Sequence, residues 1–136
     1  MSSAKAMSNQ LPGIIKENGF DFRWDIKRVW ALEIPVEEIE VAELDWIFDL
    51  PFWSDGEASY NLTAREVIAN PEKYPPHHNR LQECDTSYPI DIMKNLKGKW
   101  LILDGLHRLV KLVTDGKTKV KARKLSRDLI SEITPL

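Results

Sequence analysis

The pattern of apolar and polar positions is clearest in the last third of the chain. Trp100–Leu103 is a continuous apolar run, typical of a buried strand, and the Asp104-Gly105 pair after it is a turn signal. Beyond the turn, apolar residues recur as they do on one face of a helix: Leu106, Leu109, Val110 and Val113. Asp115-Gly116 ends that helix, and VKARKL resumes the alternation of a strand. The segment is therefore predicted to be a compact βαβ-like block.

Upstream of this block the pattern is weaker. Val29–Ile34 alternates as a strand does, and Pro35 ends it. Val36–Phe48 begins with acidic residues, which helix N-termini favour, so we predict a short helix there. In the polar loop that follows, Pro51–Trp53 carries two aromatic residues, which either pack on the core or line a pocket and stack on a base.

Between that loop and the block, one helix is well marked. Thr63 stands three residues before a glutamate, as in a capping box, and so predicts a helix over Ala64–Asn70. Pro71–Pro89 contains several prolines and is expected to be irregular. Ile90–Leu96 is expected to form a helical turn or a short strand.

These elements predict a small single domain of the α/β (α+β) class, with a mixed sheet and short helices. We assign residues 1–28 to an N-terminal tail and lead-in segment, the polar Met1–Leu11 being the tail, and residues 29–136 to the domain. A chain of 136 residues buries about two-thirds of its unfolded surface in one core. No internal repeat is visible.

Charge and cysteine content limit the classes of partner. The formal net charge is -2, so no overall positive field gathers nucleic acid, and DNA binding by this chain alone is not expected. The one basic cluster, KTKVKARK, is typical of a solvated or edge strand whose Val120 and Ala122 face inward while its lysines and arginine face outward; the alternative is a patch that tracks phosphates. A single cysteine suits a reducing compartment. With no apolar run of membrane-spanning length and no signal peptide, we expect a cytoplasmic protein without a membrane association.

The strand-to-helix turn is the strongest candidate for a binding site. A glycine there leaves the first helical N–H groups unpaired, and the helix dipole adds partial positive charge, so Gly105 lets a phosphate approach the backbone. His107 and Arg108 add charge-assisted hydrogen bonds, and Arg80, in the preceding polar loop, is a candidate for a second arginine of a phosphate clamp. The alternative is structural: Asp104 caps the helix, and the other side chains are surface residues. Asp104 also suits a metal ion or a ligand hydroxyl.

The turn sequence Asp104-Gly105-Leu106-His107-Arg108 resembles the signature turn of the ParB/sulfiredoxin-like superfamily. The likeness extends to WALEIPVEE near the first predicted strand and to YPIDIMK, and it covers Val29–Leu125. In that superfamily the turn holds nucleotide phosphates: ParB N-terminal domains bind CTP, sulfiredoxins use ATP, and kinases of free serine use ADP or ATP. The resemblance thus implies that Gly105, Leu106, His107 and Arg108 contact the phosphates of ATP, ADP or CTP.

The chain also differs from the sulfiredoxins and the ParB partition proteins of that superfamily. Sulfiredoxins carry their reactive cysteine where this chain has Leu106, and the only cysteine here, Cys84, lies well upstream, so sulfiredoxin chemistry is not expected. ParB partition proteins read DNA with a helix-turn-helix domain. Here only RDLISEITPL follows the last predicted strand, so that reader is not expected in this chain.

Two functional hypotheses stay open on this basis. In the first, the domain binds a nucleotide and transfers or hydrolyses its phosphate, with Mg²⁺ bridging the phosphates to a carboxylate such as Asp104. The other catalytic candidates are Glu37 and Glu38, which lie where the resembling kinases place an acidic base. In the second, the domain is a non-catalytic, nucleotide-responsive module that binds a partner protein or DNA. Neither a catalytic Ser-His-Asp pattern nor a Walker loop is present.

A protein-bound metal site is not predicted. His77 and His78 lie close to Cys84 and Asp85 in the sequence, and these are metal-ligating residue types. Adjacent histidines point in different directions, however, and the spacing matches no zinc motif.

Overall fold

The computed structural model describes residues 22–54, 56, 61–70 and 72–135, so the predicted tail Met1–Leu11 lies outside the described residues. The described residues form five short helices: α1 (Ile26–Ala31), α2 (Ala64–Ala69), α3 (Pro75–Glu83), α4 (Leu106–Thr114) and α5 (Ile130–Ile133). They also form four strands: β1 (Val36–Glu40), β2 (Ile90–Lys94), β3 (Trp100–Asp104) and β4 (Lys119–Leu125). Short 3-10 turns cover Val41–Glu43, Asp45–Asp49 and Arg127–Leu129.

The four strands make one mixed sheet in the order β1-β4-β2-β3. The β1–β4 and β2–β3 pairs are antiparallel, and the β2–β4 pair is parallel. The chain is thus a small α/β (α+β) domain with a mixed sheet, as predicted. The βαβ-like block is corrected in one respect: β2 lies between β3 and β4, which run in opposite directions, so α4 does not join neighbouring parallel strands.

Helices cover both faces of the sheet and bury two clusters of apolar side chains. Leu109 and Val110 of α4 pack with Ile92, Ile102 and other sheet residues, together with Trp53 and Leu81. On the other face, α1 and α5 supply Val29 and Ile133, which pack on Met93, Leu103 and Leu125.

The secondary-structure elements predicted for the last third of the chain are confirmed. The strand, the turn and the helix lie at Trp100–Asp104, Gly105 and Leu106–Thr114, and a strand follows at Lys119–Leu125. The capping box is present as well, since the Thr63 side chain accepts from the Glu66 amide and the Glu66 side chain accepts from the Thr63 amide. These signals are local, so they do not depend on which strands become neighbours.

Two predictions near the N-terminus are wrong. In place of a strand over Val29–Ile34, the chain forms α1, because the side chain of Asp25 accepts from the amide of Lys27 and starts a helix that buries Val29. In place of a helix over Val36–Phe48, the chain forms β1 and two 3-10 turns. Pairing with β4 explains β1: only Ile39 of the strand is buried, and its three glutamates are exposed.

The irregular stretch predicted between Pro71 and Pro89 is also wrong, because it contains α3. Pro75 and Pro76 occupy the first turn of this helix, where a missing N–H group costs nothing. Leu81 anchors the helix in the core. Of the two alternatives for Ile90–Leu96, the structure has the strand, β2.

Every helix in the described ranges is too short or too polar to span a lipid bilayer.

Candidate functional site

Helix α4 begins without a side-chain cap. Gly105 is the N-cap residue, with φ of +100° in the left-handed region, and no side chain bonds to the amides of the first turn. The first hydrogen bond within the helix runs from the amide of Leu109 to the carbonyl of Gly105. The amides of Leu106, His107 and Arg108 therefore have no acceptor inside the helix. Asp104 therefore does not cap the helix, which was the structural alternative for this residue.

Asp104 is instead held between two donors. Its Oδ2 atom accepts from the indole Nε1 of Trp30 at 2.7 Å and from Nη2 of Arg108 at 3.4 Å. The same Nη2 donates to the carbonyl oxygen of Pro89 at 3.0 Å. These contacts fold Arg108 back along the turn rather than leaving its charge extended into solvent.

The folded-back guanidinium lies directly against Gly105. A Cβ atom at position 105 would stand 2.8 Å from Nη2 of Arg108 and 2.9 Å from Cγ2 of Ile90. Both separations are shorter than van der Waals contact allows. The turn thus requires glycine at position 105 for two reasons: its backbone conformation, and the space that the Arg108 side chain occupies.

His107 points to the other side of the turn, onto Trp53. Its ring stacks on the indole at a centroid distance of 4.3 Å, and the ring of His77 stacks on the same indole at 4.7 Å. The two imidazoles are joined through His77 Nδ1 and His107 Nε2, which lie 3.3 Å apart. Burial, followed by the charges of Arg80 and His77, lowers the pKa of His107 to about 3, so the His107 ring is neutral at pH 7.

A cavity of about 580 Å³ opens beside the turn, and we call it the turn cavity. All six residues predicted to bind ligand line it: Arg80, Asp104, Gly105, Leu106, His107 and Arg108. Its remaining lining residues are Trp24, Ile26, Phe52, Trp53, Cys84, Ile102 and Leu103. The aromatic pair of Pro51–Trp53 thus lines the cavity, and Trp53 does so while packed on the two histidines.

The two other catalytic candidates lie elsewhere. Glu37 and Glu38 are in β1, at the opposite edge of the sheet from β3, with β4 and β2 between them and Asp104. Both glutamates are exposed, and Glu37 lies 3.8 Å from the ammonium group of Lys124. The structure therefore does not bring these carboxylates together with the turn.

Comparisons of the chain with protein-family models, with curated proteins and with solved structures gave no match.

A second cavity, of about 550 Å³, lies on the other side of the Asp104–Arg108 pair. Asp104 of β3 is in register with Asp91 of β2, which is in register with Arg123 of β4, so a row of charged residues crosses the sheet. A bulge in the β2–β3 pairing brings the two aspartates opposite each other. Trp30 closes one side of this charged cavity.

Asp91 is the buried member of that row, with 3% of its surface exposed. Arg123 Nε stands 2.9 Å from Asp91 Oδ1, but the N–H group does not point at the oxygen, so the pair is ionic without a hydrogen bond. Burial raises the pKa of Asp91 to about 6; Asp104 adds to the rise, and the two arginines oppose it. The prediction that the arginine of the basic cluster faces outward is wrong: Arg123 is half-buried and donates to the carbonyl of Val29.

Sequence reasoning missed the roles of Asp91, Arg123 and His77. A lone carboxylate inside the apolar run of YPIDIMK is a signal for the first, because such a residue needs a partner when buried. Within the described residues, no group of three or more histidine, cysteine or acidic side chains is placed to hold a metal ion. His78 lies apart from His77, with its Nε2 3.2 Å from the carbonyl of Asn70.

Proposed function

We propose that this domain binds a phosphate-bearing ligand, with a nucleotide as the expected class, in the turn cavity. One observation carries the proposal: Arg80 and the residues of the uncapped first turn of α4 line the same cavity. Unpaired helical N–H groups and the positive end of the helix dipole bind anions, and an arginine completes a phosphate site. The volume of about 580 Å³ is that of an ordinary small-molecule pocket.

The charge for this interaction comes from Arg80 rather than from the histidine of the turn. His107 is neutral at pH 7, and its Nε2 atom is engaged with His77. Arg108 is bound through Nη2 to Asp104 and to Pro89, so it contributes a fixed positive charge behind the glycine. Arg80 is exposed, and its side chain is therefore available to a ligand at the mouth of the cavity.

We favour a binding module over a phosphotransfer enzyme. A phosphotransferase needs a group that accepts a proton from, or orients, the attacking nucleophile. Asp104 is the only carboxylate that lines the turn cavity among the described residues, and its Oδ2 atom already holds Trp30 and Arg108. Mg²⁺ would arrive with the nucleotide, with Asp104 as its one protein carboxylate, because Mg²⁺ keeps most of its ligands as water and phosphate oxygens. Such a module signals through the partner that it contacts in its bound state.

Titration calorimetry and thermal unfolding with ATP, ADP, CTP and inorganic pyrophosphate, each with and without Mg²⁺, test the proposal. A ligand at one hundred times its Kd should raise the free energy of unfolding by about 2.7 kcal/mol. Arg80→Ala should weaken binding at least tenfold and leave the fold intact, since the side chain is exposed. Arg65→Ala is the matched control, because Arg65 is also an exposed arginine but pairs with Asp49 outside the cavity.

A second readout uses the only cysteine of the chain. Cys84 lines the turn cavity and is half-buried, so a bound ligand should slow its alkylation by iodoacetamide. Ligand at a concentration near the wild-type Kd should slow the reaction of wild type and leave the rate for Arg80→Ala nearly unchanged. No calorimetric response to any of the four compounds, together with an unchanged alkylation rate, would remove the proposed function.

A further inference from the structure

His77 and His107 form a hydrogen-bonded pair on the face of one indole ring. Both imidazoles stack on Trp53, and their own planes differ by only 13°, so the two rings lie nearly side by side. His77 Nδ1 and His107 Nε2 face each other at 3.3 Å. At its far side, His77 Nε2 lies 2.7 Å from the carbonyl oxygen of Ser54.

The carbonyl oxygen of Ser54 fixes the direction of this chain of hydrogen bonds. A carbonyl accepts only, so His77 Nε2 carries a hydrogen and donates it to Ser54. In a neutral His77 the Nδ1 atom is then a lone-pair acceptor, and His107 must donate to it from Nε2. A neutral His107 that carries its hydrogen on Nε2 has a lone pair on Nδ1. That Nδ1 atom has no hydrogen-bond partner in the part of the chain that the structure describes.

We propose that His77 is a positioning residue that sets the tautomer of His107, and that one proton taken up by the pair turns His107 Nδ1 from a hydrogen-bond acceptor into a donor. The atoms balance simply. A proton from solvent adds to His107 Nδ1, and the hydrogen on His107 Nε2 passes to His77 Nδ1. His107 ends neutral with its hydrogen on Nδ1, and the positive charge lies on His77, whose Nε2–H still donates to Ser54.

The surroundings favour His77 as the carrier of that charge. The Ser54 carbonyl accepts from the charged His77 ring, whereas His107 Nδ1 faces no such acceptor among the described residues. The Trp53 face, on which both rings stack, attracts either cation and does not discriminate between them. His107 is disfavoured as a cation by burial and by Arg80, which is on α3 with His77. On α4, Lys111 is directed to the carbonyl of Gln82 instead.

One further charged residue near the pair is described. Arg108 of α4 is paired with Asp104 on the other side of the turn. Asp55, which follows Ser54 in the chain, lies outside the described residues.

The consequence for the turn cavity rests on the proposed function. A lone pair on His107 Nδ1 repels a phosphate oxygen, whereas an N–H group there donates to it, so the protonated pair and an anionic ligand stabilise each other. Where the pair is neutral in the free protein, ligand binding takes up one proton. The affinity then falls about tenfold for each unit rise in pH.

Nuclear magnetic resonance of the ¹⁵N-labelled free protein tests the tautomer switch without any ligand. The chain has three histidines, so long-range ¹H–¹⁵N correlations contain three ring systems, and His77→Gln and His78→Gln assign them. At high pH, His107 should show its hydrogen on Nε2. As the pH is lowered and the pair takes up its proton, His107 should change to the Nδ1–H tautomer, and this change should vanish in His77→Gln. A His107 ring that keeps one tautomer at every pH at which the protein is folded overturns the proposal.

Calorimetry with pyrophosphate, in buffers of different ionisation enthalpy, tests the coupling to the ligand. On binding pyrophosphate, wild type should take up close to one proton more than His77→Gln. Protons that pyrophosphate itself gains or loses are the same for both proteins and drop out of the difference. His78→Gln should match wild type, because His78 is outside the pair. Absence of binding at every pH contradicts the proposed function but leaves the resonance test to decide the switch. Binding with equal proton uptake in wild type and His77→Gln overturns the coupling alone.

Discussion

Replacing Gly105 with alanine tests the geometry of the turn more directly than any other single change. The added Cβ atom meets two obstacles, Nη2 of Arg108 at 2.8 Å and Cγ2 of Ile90 at 2.9 Å. It also forces a side chain onto a residue with φ of +100°. The backbone term costs about 1–2 kcal/mol, and the overpacking adds about 1–3 kcal/mol, so the free energy of unfolding should fall by roughly 2–5 kcal/mol.

Gly116→Ala separates the two contributions. Gly116 has φ of +89°, but a Cβ atom there meets nothing within 4 Å, so this variant should lose only the backbone term of about 1–2 kcal/mol. Urea unfolding of both variants, followed by tryptophan fluorescence, gives the difference. Equal losses for Gly105→Ala and Gly116→Ala would refute the close packing of Arg108 over the turn.

A double-mutant cycle identifies the obstacle. If the Arg108 guanidinium is the main one, its removal relieves the alanine, and the losses of Gly105→Ala and Arg108→Ala should combine to less than their sum by more than about 0.5 kcal/mol. If Ile90 is the main obstacle, the two losses should add. Losses that combine to less than their sum also indicate that, in solution, the Arg108 side chain packs over Gly105.

The remaining predictions concern stability. Burial raises the pKa of Asp91 from 3.8 to about 6, so its contribution favours the folded state at low pH and is lost as pH rises through that window. The free energy of unfolding of wild type, relative to Asp91→Asn, should therefore fall by about 3 kcal/mol between pH 3 and pH 7, and equal pH profiles would contradict this. Leu109→Ala, at a fully buried position, should cost roughly 2–5 kcal/mol in urea unfolding. Leu106→Ala should cost clearly less, since Leu106 is only half-buried; the reverse order would contradict the helix face that the structure gives.

The sequence predicts the elements whose signals are local. The strand-turn-helix of Trp100–Thr114 and the capping box at Thr63 depend on residues a few positions apart, and the structure has both. Val29–Ile34 fails because its alternation is accidental: Val29 is buried by a helix, and Trp30 is 56% exposed. In β1, pairing with β4 decides the structure of residues whose own acidic pattern favours a helix start. Tertiary pairing overrides local preference at both places.

The candidate site divides in the same way. The turn residues and Arg80 are identified from the sequence because glycine, arginine and a helix start are local signals, and the structure brings them into one cavity. The partners of these residues are not predictable. Asp91 meets Arg123 only because β2 lies beside β4, and His77 meets His107 only because α3 packs on α4. Contacts between distant segments need the topology first.

His107 and Arg108, the two polar side chains at the start of α4, make their contacts on different sides of the turn, and helix geometry explains why. Consecutive side chains on a helix point about 100° apart, so the pair cannot close on one phosphate as a simple clamp. His107 turns to Trp53 and His77, while Arg108 folds over Gly105 to Asp104. On the proposed function, the turn itself then offers a ligand mainly backbone amides. The side chains that tune its affinity come from α3, through the charge of Arg80 and the proton on His77. On that proposal, the affinity of the site for an anion depends on α3, a helix that the proline-rich sequence does not predict.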